Sequence, residues 1–324
     1  MHAFGGVDGA APDASLIVDA SGNLYGTTYD GGKYHRGTVF KLSVSQSGYT
    51  ESVLHSFGRG NDGAHPAANL IDVNGTLYGT TVGGGTVRNG YLCKHGGSPN
   101  GTCGTAFSVS ATTGKERVLH SFGSGSDGAD PYAGLIDVNG TLYGTTDLGG
   151  ETQPLCGTVF SMSTTGTEHI LHSFRNRPDD GCNPFGALIE LNGTLYGTTC
   201  CGGTTYGPGR EGTVFSVSAA TGAERVLHNF GSSGDGTEPE AGMTDVKGTL
   251  YGTTGGGGIG ITSCCGVVFR LAPTGSRYRV VYPFKHPKDG EGLWGVLLYA
   301  NDALYGTTLE GGVFNRGTAF KLTL

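Results

Sequence analysis

Charge is scarce in this chain: Asp, Glu, Lys and Arg make up 15% of its 324 residues, and the balance is acidic at −7. Phosphate binding needs Lys and Arg clustered on one face, and the 20 basic residues are scattered, which excludes a nucleic-acid partner. Long apolar runs are missing too. No stretch approaches the ~20 consecutive apolar residues of a membrane helix, so no membrane span is expected. A helical period is absent, and so are the motifs G-x-S-x-G, HExxH and the P-loop; "GGGG" at 255–258 has no Lys-Ser after it and opens no helix. The eight cysteines lack the paired C-x-x-C spacing of a zinc ribbon, which fits an oxidising compartment. No signal peptide is present either, because Met1 runs directly into "HAF", a piece of strand in the register given below. A leader removed upstream is therefore expected, and with it a secreted or cell-surface location.

What the chain has in plenty is glycine, 63 residues, and repetition. "NGTLYGTT" stands at 74–81, 139–146 and 192–199, with variants at 23–28, 248–254 and 301–308. Anchored on Tyr25, Tyr78, Tyr143, Tyr196, Tyr251 and Tyr305, six units follow at spacings of 53, 65, 53, 55 and 54 residues. The long spacing comes from an insertion at about 88–102, "RNGYLCKHGGSPNGT".

Each unit holds four strand-like pieces. In the third they are "YAGLIDV" (132–138), "TLYGTT" (141–146), "GTVFSMS" (157–163) and "EHILHSF" (168–174), the first two joined by Asn139-Gly140. Asn-Gly between strand formers is the favoured two-residue hairpin, since both positions want positive φ. An Asp-Gly turn and a proline then lead to the next unit. Four antiparallel strands repeated six times describe an all-β, six-bladed β-propeller, a single domain over residues 1–324. The sixth unit stops after "GTAFKLTL" (317–324), whereas "MHAF" matches the end of fourth strands such as "VLHSF" (118–122). The N-terminal strand is expected to complete the last blade and close the ring, which an α-free solenoid would not explain.

The "LYGTT…GG…GTVF" pattern resembles the GloVer-type tandem-repeat family over essentially the whole chain. That resemblance implies bacterial proteins of secreted or surface character with varied anchoring segments, and it assigns no catalytic residues. The double glycines at Gly31-Gly32, Gly149-Gly150, Gly202-Gly203 and Gly311-Gly312 are also similar, more distantly, to kelch repeats, another family with four-stranded blades.

In a propeller the loops between strands two and three share a side with those between blades. All eight cysteines fall in these long loops: Cys93, Cys103, Cys156, Cys182, Cys200, Cys201, Cys264 and Cys265. They read as disulfide staples, each contributing ~2–4 kcal/mol when unstrained. Cys93–Cys103 is the favoured pair; Cys156 can reach Cys182 or the Cys200-Cys201 pair, and adjacent cysteines can form vicinal disulfides. A thiolate metal or redox site is the competing reading. Of four Asn-Gly-Thr sequons, those at Asn74, Asn139 and Asn192 are the hairpin turns, with Asn100 left over, so glycosylation carries little weight.

Comparing the six units column by column separates scaffold from site. Asp8, Asp62, Asp127, Asp180, Asp235 and Asp289 each precede Gly and read as turn chemistry. A structural cation such as calcium bound by these aspartates is the alternative, and no other cofactor is expected. His2, His55, His120, His172 and His228 alternate in phase with the phenylalanines of the fourth strands and read as packed rather than ligating. Two columns do not repeat. Three residues after each aspartate stand Ala11, His65, Asp130, Asn183, Glu238 and Gly292, and five after it Asp13, Ala67, Tyr132, Phe185, Glu240 and Trp294. Asp13, His65, Asp130, Tyr132, Asn183, Phe185, Glu238, Glu240 and Trp294 are the candidate ligand-binding residues. Aromatic faces beside carboxylates suit a sugar, a cation or a peptide side chain.

The leading expectation is a non-catalytic extracellular or surface-displayed protein that binds a glycan, a protein or a further copy of itself through its long-loop face. The alternative is a carbohydrate-active hydrolase or lyase at the same mouth, drawing its two carboxylates from Asp130, Glu238, Glu240 and Glu291.

Overall fold

A computed structural model describes residues 2–46, 48–88, 93, 101–151, 155–175, 177, 179–204, 211–232, 234–258, 265–285 and 288–324. Cys264 and Asn100 lie outside the described residues. Among those described there is no helix, hence none long and apolar enough to cross a membrane. The chain forms two compact units, Met1–Thr152 with Gly157–Ser173 and Gln153–Cys156 with Phe174–Leu324, each carrying three sheets of three or four strands among the described residues. These six antiparallel sheets are the blades of a β-propeller.

The third blade shows the design. Ile136–Val138, Thr141–Thr146, Thr158–Ser163 and Glu168–Ser173 pair in chain order. Asn139 and Gly140 turn the first hairpin at φ 53° and 83°, the left-handed region that the Asn-Gly turn needs. In the fifth blade Lys247 takes the asparagine's place at φ 52°. A β-bulge falls just before the fourth-strand histidine or its Tyr282 counterpart in each of the first five blades, as between Val118 and His120. The sixth blade shows three strands, Leu298–Ala300, Ala303–Thr307 and Ala319–Thr323. His2–Phe4 enter no ladder among the described residues.

Packing between blades runs through two phenylalanines and a glycine. The glycine of Tyr-Gly-Thr-Thr pairs across strands with the phenylalanine of Gly-Thr-Val-Phe, as Gly144 with Phe160. A Cβ on Gly144 would stand 2.6 Å from Phe160 Cζ, so the ring covers the space a side chain would take. Phe160 in turn meets Phe122 of the preceding blade at 5.2 Å between centroids. The same contact recurs as Phe57 with Phe107, Phe174 with Phe215, Phe230 with Phe269 and Phe284 with Phe320. Phe4 meets Phe40 at 5.0 Å, so the N-terminal segment presents its phenylalanine to the first blade as a fourth strand would. Buried threonines complete the joints. Thr80 Oγ1 donates to Ala133 O at 2.9 Å, and the next threonine, Thr81, pairs with Thr105 at 2.8 Å.

Short ladders stand where the sequence reads as loop. Gly63–Ala64 pairs with Gly83–Gly84, Gly128–Ala129 with Leu148–Gly149, and Gly181–Cys182 with Cys201–Gly202. The double glycines are explained here: Gly149 has φ 88°, and a Cβ on it would run into Asp127 O and Gly128.

Two substitutions test this account. Gly144→Ala is expected to lower stability by ~1–3 kcal/mol through overpacking against Phe160, read from urea denaturation. Lys247→Asn is expected to raise it by ~0.5–1 kcal/mol, because asparagine tolerates the left-handed position better.

Candidate functional site

The short ladders fix the backbone of the first variable column. Ala11, His65, Asp130, Asn183, Glu238 and Gly292 all lie at positive φ, between 54° and 72°. Their main chains splice neighbouring blades: Asp130 N–H donates to Cys103 O at 2.9 Å, while Asp130 O accepts from Asp147 N–H at 3.1 Å. His65 and Glu238 do the same with Arg36 O and Val82 N–H, and with Glu211 O and Gly255 N–H. Five non-glycine residues held in a sparsely populated conformation mark a place where surrounding structure dictates the backbone.

In the first unit this column gathers a polar cluster. Asp130 is fully buried, and neither of its carboxyl oxygens has a hydrogen-bond partner in the protein. Burial, and next to it the nearby Asp147, push its pKa up to about 7. Tyr132 is pushed up to about 12 by burial, with Asp130, Tyr29 and Asp147 adding to it. Tyr29 rises by burial and through Asp30, Asp13 and Asp130. Its ring lies 4.8 Å from that of His65, tilted by 36°. Arg36 Nη1 donates to His65 Nε2 at 3.0 Å, so the imidazole is neutral and carries its proton on Nδ1, 3.2 Å from both Tyr29 O and Asp30 Oδ1. Burial lowers the pKa of His65 accordingly. Of the sequence candidates, Asp130, Tyr132 and, through Tyr29, His65 and Asp13 belong to this cluster; Asp13 is exposed.

The second unit holds the other candidates. Trp294 is 54% exposed, and its indole lies over Gly255: a Cβ on that glycine would come within 2.9 Å of Nε1. Gly255 donates to Glu238 O at 2.8 Å, which ties these two candidates to one strip of backbone. That contact also accounts for the first glycine of "GGGG". Asn183 Oδ1 lies 3.2 Å from the Cys182 sulfur, and Phe185, Glu238 and Glu240 are half-buried. Glu291 bridges to Glu310 in a ladder contact.

The cysteines form Cys93–Cys103 and Cys156–Cys182 disulfides, with Cα separations of 4.8 and 4.5 Å. Cys265 is also disulfide-bonded, and the sulfurs of Cys200 and Cys201 lie 3.1 Å apart. Sequence reasoning passed over Tyr29 and Asp147. Both follow Tyr-Gly-Thr-Thr directly, in a third column that also varies: Tyr29, Val82, Asp147, Cys200, Gly255 and Leu309.

Four-stranded antiparallel blades in tandem, with variable loop mouths, define a repeat β-propeller. The chain belongs to the Gloeobacter/Verrucomicrobia repeat family, whose model matches residues 1–96, 91–263 and 207–324. No curated protein matches the sequence. Solved structures similar in fold include oligogalacturonate lyase from Vibrio parahaemolyticus, at TM-score 0.58 and 7% identity over 94% of this chain and 76% of that one. Another is puromycin hydrolase, at TM-score 0.53 and 12% identity over 94% and 44%. TolB from Acinetobacter baumannii matches at TM-score 0.44 and 13% identity over 86% of this chain, which spans 55% of the TolB chain.

Asp130 makes stability depend on pH with a definite sign. Its folded pKa of about 7 stands above the unfolded value of 3.8, so its contribution is complete below about pH 4 and is lost as pH rises through about 7. Asp130→Asn is expected to leave the melting temperature unchanged near pH 4 and to stabilise the chain by ~2–4 kcal/mol near pH 8. Equal melting curves at both pH values would show the carboxyl to be compensated.

Proposed function

We propose that this protein is a non-catalytic, extracellular glycan-binding propeller whose ligand meets the loop mouths at the variable columns. The observation that carries the reading is Asp130: a fully buried carboxyl with no hydrogen-bond partner, held by a strained backbone beside Tyr132 and Tyr29. An unpaired buried carboxyl is costly, and a sugar hydroxyl supplies the missing partner. Tyrosine faces add the apolar platform that sugar rings stack on. The exposed Trp294 over Gly255 offers a second such face on the other unit. Disulfides among the loop cysteines support an oxidising location.

A hydrolase or lyase remains the second reading because of Asp147. Two neighbouring carboxyls, one kept protonated to about pH 7, have the makings of a general acid and base.

Screening the protein on immobilised glycans and polysaccharides separates the readings. Tyr132→Ala and Trp294→Ala are each expected to weaken retention at least about fivefold with an unchanged melting temperature. Retention indifferent to both substitutions overturns the glycan reading. Released oligosaccharide that disappears in Asp130→Asn or Asp147→Asn would instead establish the enzyme.

A further inference from the structure

At the loop aspartates, the N-terminal segment and the fourth strands of the first and second blades each end beside a second set of ionisable groups. The loop aspartate accepts from the fourth-strand histidine: His55 Nε2 lies 2.8 Å from Asp62 Oδ2, and His120 Nε2 lies 2.8 Å from Asp127 Oδ2. His2 and Asp8 repeat the contact at 2.9 Å. The other aspartate oxygen accepts a backbone N–H, from Gly63 and Gly128 at 2.7 Å. A glutamate at the start of the next fourth strand joins each pair, giving His2–Asp8–Glu51, His55–Asp62–Glu116 and His120–Asp127–Glu168, each with one ligand atom per residue and all within 4.8 Å.

The glutamates are what a purely structural role leaves unexplained. Oε1 of Glu51, of Glu116 and of Glu168 is buried and has no hydrogen-bond partner in the protein. Burial, reinforced by Asp62 and Asp127 respectively, pushes Glu116 and Glu168 up to about 7. The fifth blade shows that the scaffold does not require a carboxylate here. Tyr278, directly before its fourth strand, stands in the glutamate column, stacked on His228 at 3.7 Å between centroids, with its hydroxyl donating to Asp235 O at 2.7 Å. A tyrosine fills the position with every polar group satisfied, yet the earlier blades keep an uncompensated acid.

We propose that these His–Asp–Glu sets of the first unit are sites for a divalent transition metal of the zinc class. One imidazole nitrogen and two carboxylates are a three-ligand set that leaves a fourth tetrahedral position for water. The nitrogen donor and the small number of oxygens argue against calcium, which takes six to eight oxygens. Access exists at the middle set: His55, Asp62 and Glu116 line a cleft of about 330 Å3 together with Arg59 and Ser121. The metal would take the place of the proton between histidine and aspartate and neutralise the buried glutamate. This proposal does not depend on the glycan reading.

The test is a calorimetric titration of the chelator-stripped full chain with Zn2+, on wild type, Glu116→Gln, Glu168→Gln and the double variant. Glutamine has the shape of the protonated acid, so folding is expected to be preserved. Stoichiometry should fall by one in each single variant and by two in the double, while equimolar Ca2+ should not compete. Wild type that takes up no Zn2+ overturns the proposal. So does an uptake identical in all four proteins, which would place the ion elsewhere, for instance at Cys200 and Cys201.

Discussion

The structure depends on one steric exchange, a glycine on each second strand giving its side-chain space to a phenylalanine on the third. Because Gly144 has no Cβ, the Phe160 ring occupies that space and meets the ring of Phe122 of the preceding blade, tilted by 56°. A fully buried phenylalanine contributes ~1.5–3 kcal/mol and the aromatic pair ~0.5–1.5 kcal/mol more. Any side chain at the glycine would spoil both contacts, within the blade and between blades. Repetition of "LYGTT" is therefore a packing requirement, one glycine per joint, and it belongs to the scaffold.

The variable columns are free to vary for a related reason. At Asp130 the backbone N–H and C=O are committed to Cys103 and Asp147, and the left-handed conformation is set by those bonds. Nothing in that splice asks for a particular side chain. Alanine, histidine, aspartate, asparagine, glutamate and glycine all serve in the same geometry. A scaffold that fixes the main chain through main-chain contacts can thus display different chemistry at each mouth without losing the packing between neighbouring blades. The arrangement is economical, since the side chains proposed to bind sit on a frame that their main chains alone complete.

Much of this was legible in the sequence, and the parts that were not share a cause. Asn139-Gly140 and the period of the tyrosines announce strands and hairpins because their signals are local in the chain. His65, Asp130 and Tyr132, which the structure brings into one polar cluster, stand out in the sequence where the six copies disagree. The same question put to the residue after Tyr-Gly-Thr-Thr would have found Tyr29 and Asp147. The short ladders escaped because glycine pairs read as loop, although their close approach to Gly63 and Gly128 is what demands glycine. The glutamate partners escaped for a deeper reason. Glu116 meets His55 from the following unit, 61 positions along the chain, so no spacing within one repeat could reveal it.

Asp130 and the glutamates of the fourth strands pose one physical problem in two places. Each is a carboxyl moved out of water without enough donors, and each binds its proton more tightly in the folded chain than in the unfolded one. The sign is the same for all: they weaken the fold as pH rises past neutrality. A repeat protein has an easy remedy, because a neighbouring copy already carries the alternative, as Tyr278 does beside His228. The acids stand in copy after copy although a tyrosine packs and bonds fully in the same place, and both proposals answer this with a partner from outside the polypeptide. At the loop mouth the proposed partner is a neutral donor, since aromatic residues stand beside the carboxyl. Along the fourth strands the proposed partner is a cation, since an imidazole and a second carboxylate converge on the same point.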